Sequence, residues 1–238
     1  MTALRAGCTS SAAAGGGACV IPEPYPWVPD LQCSVATDVS PPLAAKALVR
    51  RRLLASRAAL TDLAPPASAL HRHVLAAAWA APGSRIAAYA PIGSEPGSVA
   101  LLDELTGRGL VVLLPVVSVD ILDWAVYNGA LVPGPWGLRE PAGPRLGPAA
   151  LSTADAVLVP ALAVDRRGTR LGRGAGWYDR SLHQVGAGTP LVALLHDGEL
   201  VDEVLPAEPH DVPMTAAITP TGGLVEFTLV VPVNPSPT

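Results

Sequence analysis

The chain has 238 residues, enough for one large domain or two small ones. Half of them are hydrophobic, but 40 are alanine, and the apolar runs are short: Leu110 to Val117 spans eight residues and includes Pro115. A membrane span of about 20 apolar residues is therefore not expected, and a net charge of −4 speaks against broad nucleic-acid binding, which needs a basic footprint. Of the 16 basic residues 15 are arginine; Lys46 is the only lysine.

Residues 1–40 differ from the rest. Ser10 to Ala18 is an Ala/Gly/Ser tract, and Ile21 to Pro29 holds four prolines. Neither has helical or strand periodicity, and no apolar stretch of secretory-signal length is present. They are expected to form a disordered, low-complexity extension ahead of a single domain over 41–238. The three cysteines, Cys8, Cys19 and Cys33, all lie in this extension. A disulfide or thiolate zinc site in the body is thereby excluded, and a reducing, cytoplasmic setting is expected.

Leu43 to Leu60 reads as a helix. Val49, Leu53 and Leu60 form an apolar ridge, and Lys46, Arg50 and Arg57, at the same spacing, form a cationic ridge beside it. Arg51 and Arg52 point elsewhere, into solvent. A second helix is predicted over Ala67–Ala80, with Leu70 and Val74 inward, then a strand over Arg85–Ala90 and a helix over Val99–Arg108 stopped by Gly109. Leu110–Val117 reads as a buried parallel strand and Ile121–Tyr127 as another. Residues 128–150, rich in Gly and Pro, read as an ordered loop. Ala156–Val164 is a strand interrupted at Pro160, Gly176–Val185 a helix, and Leu191–Leu195, Ala216–Thr219 and Phe227–Val231 are later strands. No internal repeat is visible. The alternation predicts an α/β fold of three-layer, Rossmann-like type, with a mostly parallel sheet flanked by helices.

The chemistry is concentrated in Asp165 to Arg180, DRRGTRLGRGAGWYDR, between a strand and a helix. Gly172, Gly174 and Gly176 let the backbone come close to a ligand with several N–H groups turned into one space. Arg170 and Arg173 add charge, and the following helix adds its positive end. This combination suits a polyanion, phosphate being the usual one. The spacing GxGxG is neither a dinucleotide fingerprint nor a Walker A loop.

The string Gly168-x-Arg170-Leu171-Gly172-x-Gly174-x-Gly176-x-Tyr178-Asp179-Arg180 resembles the GxRLGxGxGYYDR signature of the 5-formyltetrahydrofolate cyclo-ligase family. Other landmarks fall in the family's order. Lys46, Arg50 and Arg57 resemble its N-terminal basic helix; Tyr89 and Glu95 its tyrosine and acidic loop; Trp136 to Pro141 its Gly-x-x-Glu-Pro turn; Leu205-Pro206 with Asp211 its C-terminal element. The resemblance covers roughly residues 43 to 220.

It implies conversion of 5-formyltetrahydrofolate to 5,10-methenyltetrahydrofolate with ATP and Mg²⁺, by phosphorylation of the formyl oxygen, attack of the neighbouring nitrogen and departure of phosphate. The resemblance places Lys46 and Arg50 on ATP phosphates. Arg170, Leu171, Gly172, Arg173, Gly174, Ala175, Gly176, Trp177 and Tyr178 wrap the nucleotide. Arg50, Glu95, Arg173, Gly174, Gly176 and Trp177 face the folate, with Glu95 on the pterin ring. Lys46, Arg173 and Tyr178 take part in the chemistry, and Asp179 and Asp211 hold Mg²⁺. Trp136 is either a stacking residue or a loop aromatic covering the core.

This sequence has Trp177 where the family has a tyrosine, Ala161 and Val164 where glycine and phenylalanine are common, and Pro96 after Glu95. His71 and His73 read as solvated. His183 falls in the predicted helix, and His196 and His210 lie near the site. No Ser-His-Asp order or HExxH favours a hydrolase, and no carboxylate base or nucleophile at the loop favours a phosphosugar isomerase or acyl transferase. The alternative is a non-catalytic nucleotide- or folate-binding protein of the same fold. A monomer acting on small molecules, without nucleic acid or membrane partners, is expected.

Overall fold

The computed structural model describes residues 41–228. The expected extension over residues 1–40, its three cysteines and the end of the last predicted strand lie outside the described residues. Helix α1 (Pro41–Ala58) is opened by two prolines, whose missing N–H groups cost nothing in a first helical turn. It ends two residues earlier than predicted, so Leu60 falls outside it and is exposed. The remaining ridge, Val49 and Leu53, packs on Leu162, Ala163, Leu171 and Leu205.

Helix α2 (Ala64–Leu75) buries Leu70 and Val74, and α3 (Val99–Gly107) buries Leu101, Leu102 and Leu105. The Ser98 side chain caps α3 by accepting the Leu101 N–H at 3.2 Å. Gly109, with φ 85°, takes the left-handed turn that lets the chain leave the helix.

The strands are β1 (Arg85–Ala87), β2 (Val111–Val116), β3 (Asp123–Val126), β4 (Leu131–Pro133), β5 (Arg139–Pro141), β6 (Ala156–Pro160), β7 (Ala163–Asp165), β8 (Arg170–Leu171), β9 (Leu191–Leu194), β10 (Leu200–Val201), β11 (Ala216–Thr219) and β12 (Gly223–Glu226). Seven of them form one sheet in the order β12-β11-β9-β6-β1-β2-β3. The five inner strands are parallel, and the two edge strands are antiparallel to their neighbours. Alternation along the strands supplies both faces. Ile86 and Ala88 join the cluster of α2 and α3, while Ala87 joins Leu113, Val157, Leu151 and Leu182 on the other side. The expected three-layer arrangement, a mostly parallel sheet between helical layers, is thus the one found. Among the described residues no helix is long and apolar enough to cross a membrane.

Helix α2 spans Ala64–Leu75 rather than Ala67–Ala80, β1 stops at Ala87 rather than Ala90, and four further predicted elements differ. The strand expected over Ala156–Val164 is two: β6 leaves the large sheet at Pro160, which has no N–H to continue a ladder, and β7 pairs with β8 and β10 in a small separate sheet. The loop over 128–150 contains a hairpin, β4 with β5. The last strand precedes the predicted Phe227–Val231, because Gly223 (φ 66°) turns the chain straight back from β11. Helix α4 (Trp177–Ser181) has five residues and passes into a 3₁₀ turn over Leu182–Gln184. Such a short helix has little dipole, so charge at the glycine loop comes from its arginines.

In a parallel sheet the chain emerges from every strand at the same edge, and the loops there gather into one crevice. Tyr89 and Ala90 follow β1, Val117 follows β2, Ala161 follows β6 and His196 follows β9. All but His196 border the site.

Candidate active site

A cavity of about 390 Å³ opens at this edge. It is lined by Glu95, Arg170, Gly172, Arg173, Gly174, Ala175, Gly176, Trp177, Tyr178 and Asp179, so most predicted site residues meet in one place. Tyr89, Arg57, Trp136 and Glu140 complete much of the wall.

The glycine loop is held at both ends. At its start the buried Asp165 accepts backbone N–H bonds from Arg167 and Thr169, each at 2.9 Å, and from Leu205 at 3.0 Å. At its end, Gly174 (φ 109°) and Gly176 (φ 70°) adopt conformations that side chains disfavour. Arg50 reaches across from α1, its Nε donating to the Gly172 carbonyl at 2.9 Å. Burial lowers the pKa of this guanidinium. Arg170 pairs with Asp179, donates to the Pro160 carbonyl at 3.3 Å and lies over the Tyr178 ring at 5.8 Å.

Glu95 faces this loop. Its side chain is only 10% exposed, one oxygen 3.1 Å from Arg173 Nε and the other accepting the Ile92 N–H at 3.1 Å. Burial raises its pKa above the usual carboxylate value, and Arg173 offsets part of that rise. Pro96, the unusual residue of this loop, offers its carbonyl to the Tyr89 hydroxyl at 2.6 Å, so the tyrosine fastens the loop to β1. The buried Tyr178 hydroxyl has no hydrogen-bond partner among the described residues, and burial pushes its pKa up.

Trp136 does not cover the core. It is 42% exposed, with its ring centroid 6.2 Å from that of Trp177. Arg180 lies over the Trp177 ring at 5.2 Å, and its Nε donates to the Asp120 carbonyl at 2.6 Å. The indole that replaces the family's tyrosine thus has an arginine over its ring and a second indole tilted beside it.

Lys46 and Asp211 stand outside the cavity lining, bound to each other. Lys46 Nζ donates to Asp211 Oδ2 at 3.0 Å and to Glu208 Oε2 at 2.8 Å. Burial works against the lysine's charge, but the two carboxylates hold its pKa above the ordinary value. The converse holds for Asp211: burial opposes ionisation, yet the Glu208 N–H and Lys46 keep its pKa low. Glu208, His210 and Asp211 present ligand atoms within 4.8 Å of one another. Asp179, paired with Arg170, is not part of that cluster. Leu171, expected at the nucleotide, is not among the lining residues: its side chain is in the core and its carbonyl accepts the Leu162 N–H at 2.7 Å within the small sheet.

The cationic ridge of α1 is real: Lys46 and Arg57 are buried, Arg50 is half-buried, and Arg51 and Arg52 are exposed. Among the histidines, His71 sits 3.0 Å from Glu104, and His73 Nε2 donates to the Pro220 carbonyl at 3.1 Å, so neither is merely solvated. Sequence reading missed Glu208 and Glu199. Glu208, three residues before Asp211, had a turn-like spacing as its only signal.

A mostly parallel α/β sheet with a Gly/Arg loop and a buried carboxylate at its strand-end crevice is an α/β protein whose candidate site lies where such folds bind ligands. The family model described as 5-formyltetrahydrofolate cyclo-ligase matches residues 42–220, and the chain belongs to that family. It is 53% identical over 150 residues to the 5-formyltetrahydrofolate cyclo-ligase of Mycolicibacterium smegmatis, covering 60% of this chain and 77% of that one. With the Escherichia coli 5-formyltetrahydrofolate cyclo-ligase the identity is 32% over 142 residues, covering 57% and 78%. The NMR structure of Aquifex aeolicus 5,10-methenyltetrahydrofolate synthetase shares the fold at TM-score 0.66 and 22% identity, covering 79% of this chain and 96% of that one.

Proposed function

We propose that this protein is an ATP- and Mg²⁺-dependent 5-formyltetrahydrofolate cyclo-ligase that acts as a cytoplasmic monomer and forms 5,10-methenyltetrahydrofolate, ADP and phosphate. One observation carries this reading: Arg173 of the glycine loop lies 3.1 Å from Glu95, so a polyanion cradle and a carboxylate suited to a heterocycle share one cavity.

The residues suit both ligands. Gly174 and Gly176 let backbone approach a phosphate, and Arg50, Arg170 and Arg173 surround the loop with charge. Asp179, Asp211 and Glu208 are hard oxygen donors of the kind Mg²⁺ takes; the His210 nitrogen suits it less. ATP supplies the phosphoryl group that makes the formyl oxygen a leaving group, and Mg²⁺ neutralises phosphate charge.

The chain's own work is positioning and electrostatics. Glu95 accepts N–H groups of the pterin ring. Tyr178, its acidity suppressed by burial, acts as a hydrogen-bond donor rather than a base. Arg173 bridges the two halves of the site and stabilises charge between them. Trp136 and Trp177 offer flat apolar faces to the ring system. Lys46 would hold a phosphate oxygen in place of Glu208 and Asp211, and those two carboxylates would then suit a cation.

The test is turnover by the full chain, followed through absorbance of the methenyl product. Product that depends on 5-formyltetrahydrofolate, ATP and Mg²⁺ together supports the proposal. ATP binding without product would favour the non-catalytic alternative, which no observation so far supports.

A further inference from the structure

Arg57, the third member of the cationic ridge of α1, is 2% exposed and lines the cavity. Its Nε donates to Glu199 Oε1 at 2.6 Å, and its Nη2 donates to Glu199 Oε2 at 2.8 Å and to the Ala161 carbonyl at 2.5 Å. Glu199 is itself 6% exposed. A two-pronged arginine–carboxylate pair of this kind fixes both side chains in orientation as well as distance.

Glu199 carries a second link. Its Oε2 accepts the His196 backbone N–H at 2.8 Å, and the His196 Nε2 donates to the Ser94 carbonyl at 2.9 Å. Ser94 immediately precedes Glu95. An unbroken path of short polar contacts therefore runs from the end of α1, through the turn after β9, to the loop that presents Glu95. All its members are buried or half-buried, where water competes little and such contacts hold their geometry. None of them belongs to the glycine loop that cradles the polyanion.

We propose that Glu199 is a positioning residue for folate recognition: clamped to Arg57 and tied through His196 to Ser94, it sets where Glu95 stands in the cavity. This rests on the reading of Glu95 as the residue that receives the pterin ring. Glu199 touches no ligand in this scheme. Its effect reaches one half of the site and leaves the nucleotide half alone.

Burying one charge without its partner is strongly destabilising, whereas removing both is tolerated far better. The test therefore uses the double variant Arg57→Met/Glu199→Met together with the milder His196→Ala, which cuts only the link to Ser94. Both are compared with the wild type in steady-state turnover and thermal unfolding. The expected result is a rise in KM for 5-formyltetrahydrofolate of about tenfold for the double variant and about threefold for His196→Ala, on the scale of one polar contact. KM for ATP and kcat should stay within about twofold of wild type, since the lost contacts lie outside the nucleotide half. A folded double variant with wild-type folate KM would overturn the proposal, as would equal changes in both KM values. If the double variant does not fold, the proposal falls should His196→Ala leave the folate KM unmoved. Absence of folate turnover by the wild type would instead refute the cyclo-ligase reading itself.

Discussion

Trp136 brings its indole to 6.2 Å from that of Trp177, the planes 40° apart, from a left-handed backbone conformation (φ 54°, ψ 31°). Among the described residues it is the only non-glycine with positive φ. A left-handed conformation costs a non-glycine residue about 1–2 kcal/mol. That cost is retained at a half-exposed loop position bordering the cavity, where core packing gives it no compensation. Trp136→Gly should therefore leave the melting temperature unchanged or raise it, while raising KM for 5-formyltetrahydrofolate by up to about tenfold as the aromatic contact is lost. A fall in both stability and affinity would mean that the indole is structural.

Lys46→Ala should lower kcat/KM for ATP by about thirtyfold, the scale of one charged hydrogen bond. Arg51→Ala and Arg52→Ala, on the exposed side of α1, should change it less than about twofold. Steady-state kinetics with ATP varied at saturating folate measures all three. Equal effects would refute the assignment of Lys46 by helix face.

Chelation of Mg²⁺ should abolish turnover without altering the denaturant midpoint, because the carboxylates concerned are already paired with Lys46 and Arg170. Asp179→Asn and Asp211→Asn should each raise the Mg²⁺ concentration needed for half-maximal rate, by about tenfold or more.

Glu95 has a raised pKa because it is buried. Its carboxylate form, the one that accepts N–H groups, is present above that value and is lost as the pH falls through it. Folate affinity should therefore decline on the acid side, beginning at a higher pH than an ordinary glutamate would allow. Arg57 and Arg173 face it, as do Tyr89 and Tyr178, whose pKa values burial raises. In Glu95→Gln the folate KM should be higher where the wild-type carboxylate is ionised, converge with the wild type at acid pH, and lose the acid limb, as folate KM measured across the pH range would show.

Gly168→Ala should be among the most damaging single changes to stability. The turn holds φ at 83°, and an added Cβ would overlap the Met214 carbonyl oxygen. With the same residue donating its N–H back to Gly168 O at 2.8 Å, neither strand of the contact can retreat cheaply. A loss of about 2–4 kcal/mol is expected in denaturant unfolding.

What the sequence revealed depended on range. The cationic face of α1 follows from a 3.6-residue period, and Lys46, Arg50 and Arg57 all turn inward as that period requires. The glycine loop was legible because its conformations are encoded by glycine itself. Glu208 and Glu199 were not, since their partners lie 162 and 142 residues away, and only the sheet topology brings them together. The division of the Ala156–Val164 segment had its signal in Pro160, but that signal marks a break without saying that the second half joins another sheet. The five-residue α4 was overread because good helix formers such as Leu182 and Gln184 continue past its end. Those residues serve instead to bring Leu182 into the core through a 3₁₀ turn.

With a single lysine in 238 residues, the chain has one side-chain amine, and it sits between Glu208 and Asp211. An acylating reagent that labels amines can modify only that side chain of the body, so one mass increment reports whether the contact of α1 with Glu208 and Asp211 is open. A lysine-specific protease has one bond to cut, Lys46–Ala47, inside the first third of α1. Its rate of cutting measures how often that helix lifts from the Asp211 turn. The arginine-rich composition has in effect given this protein a built-in, single-site reporter at the position where the proposed catalysis begins.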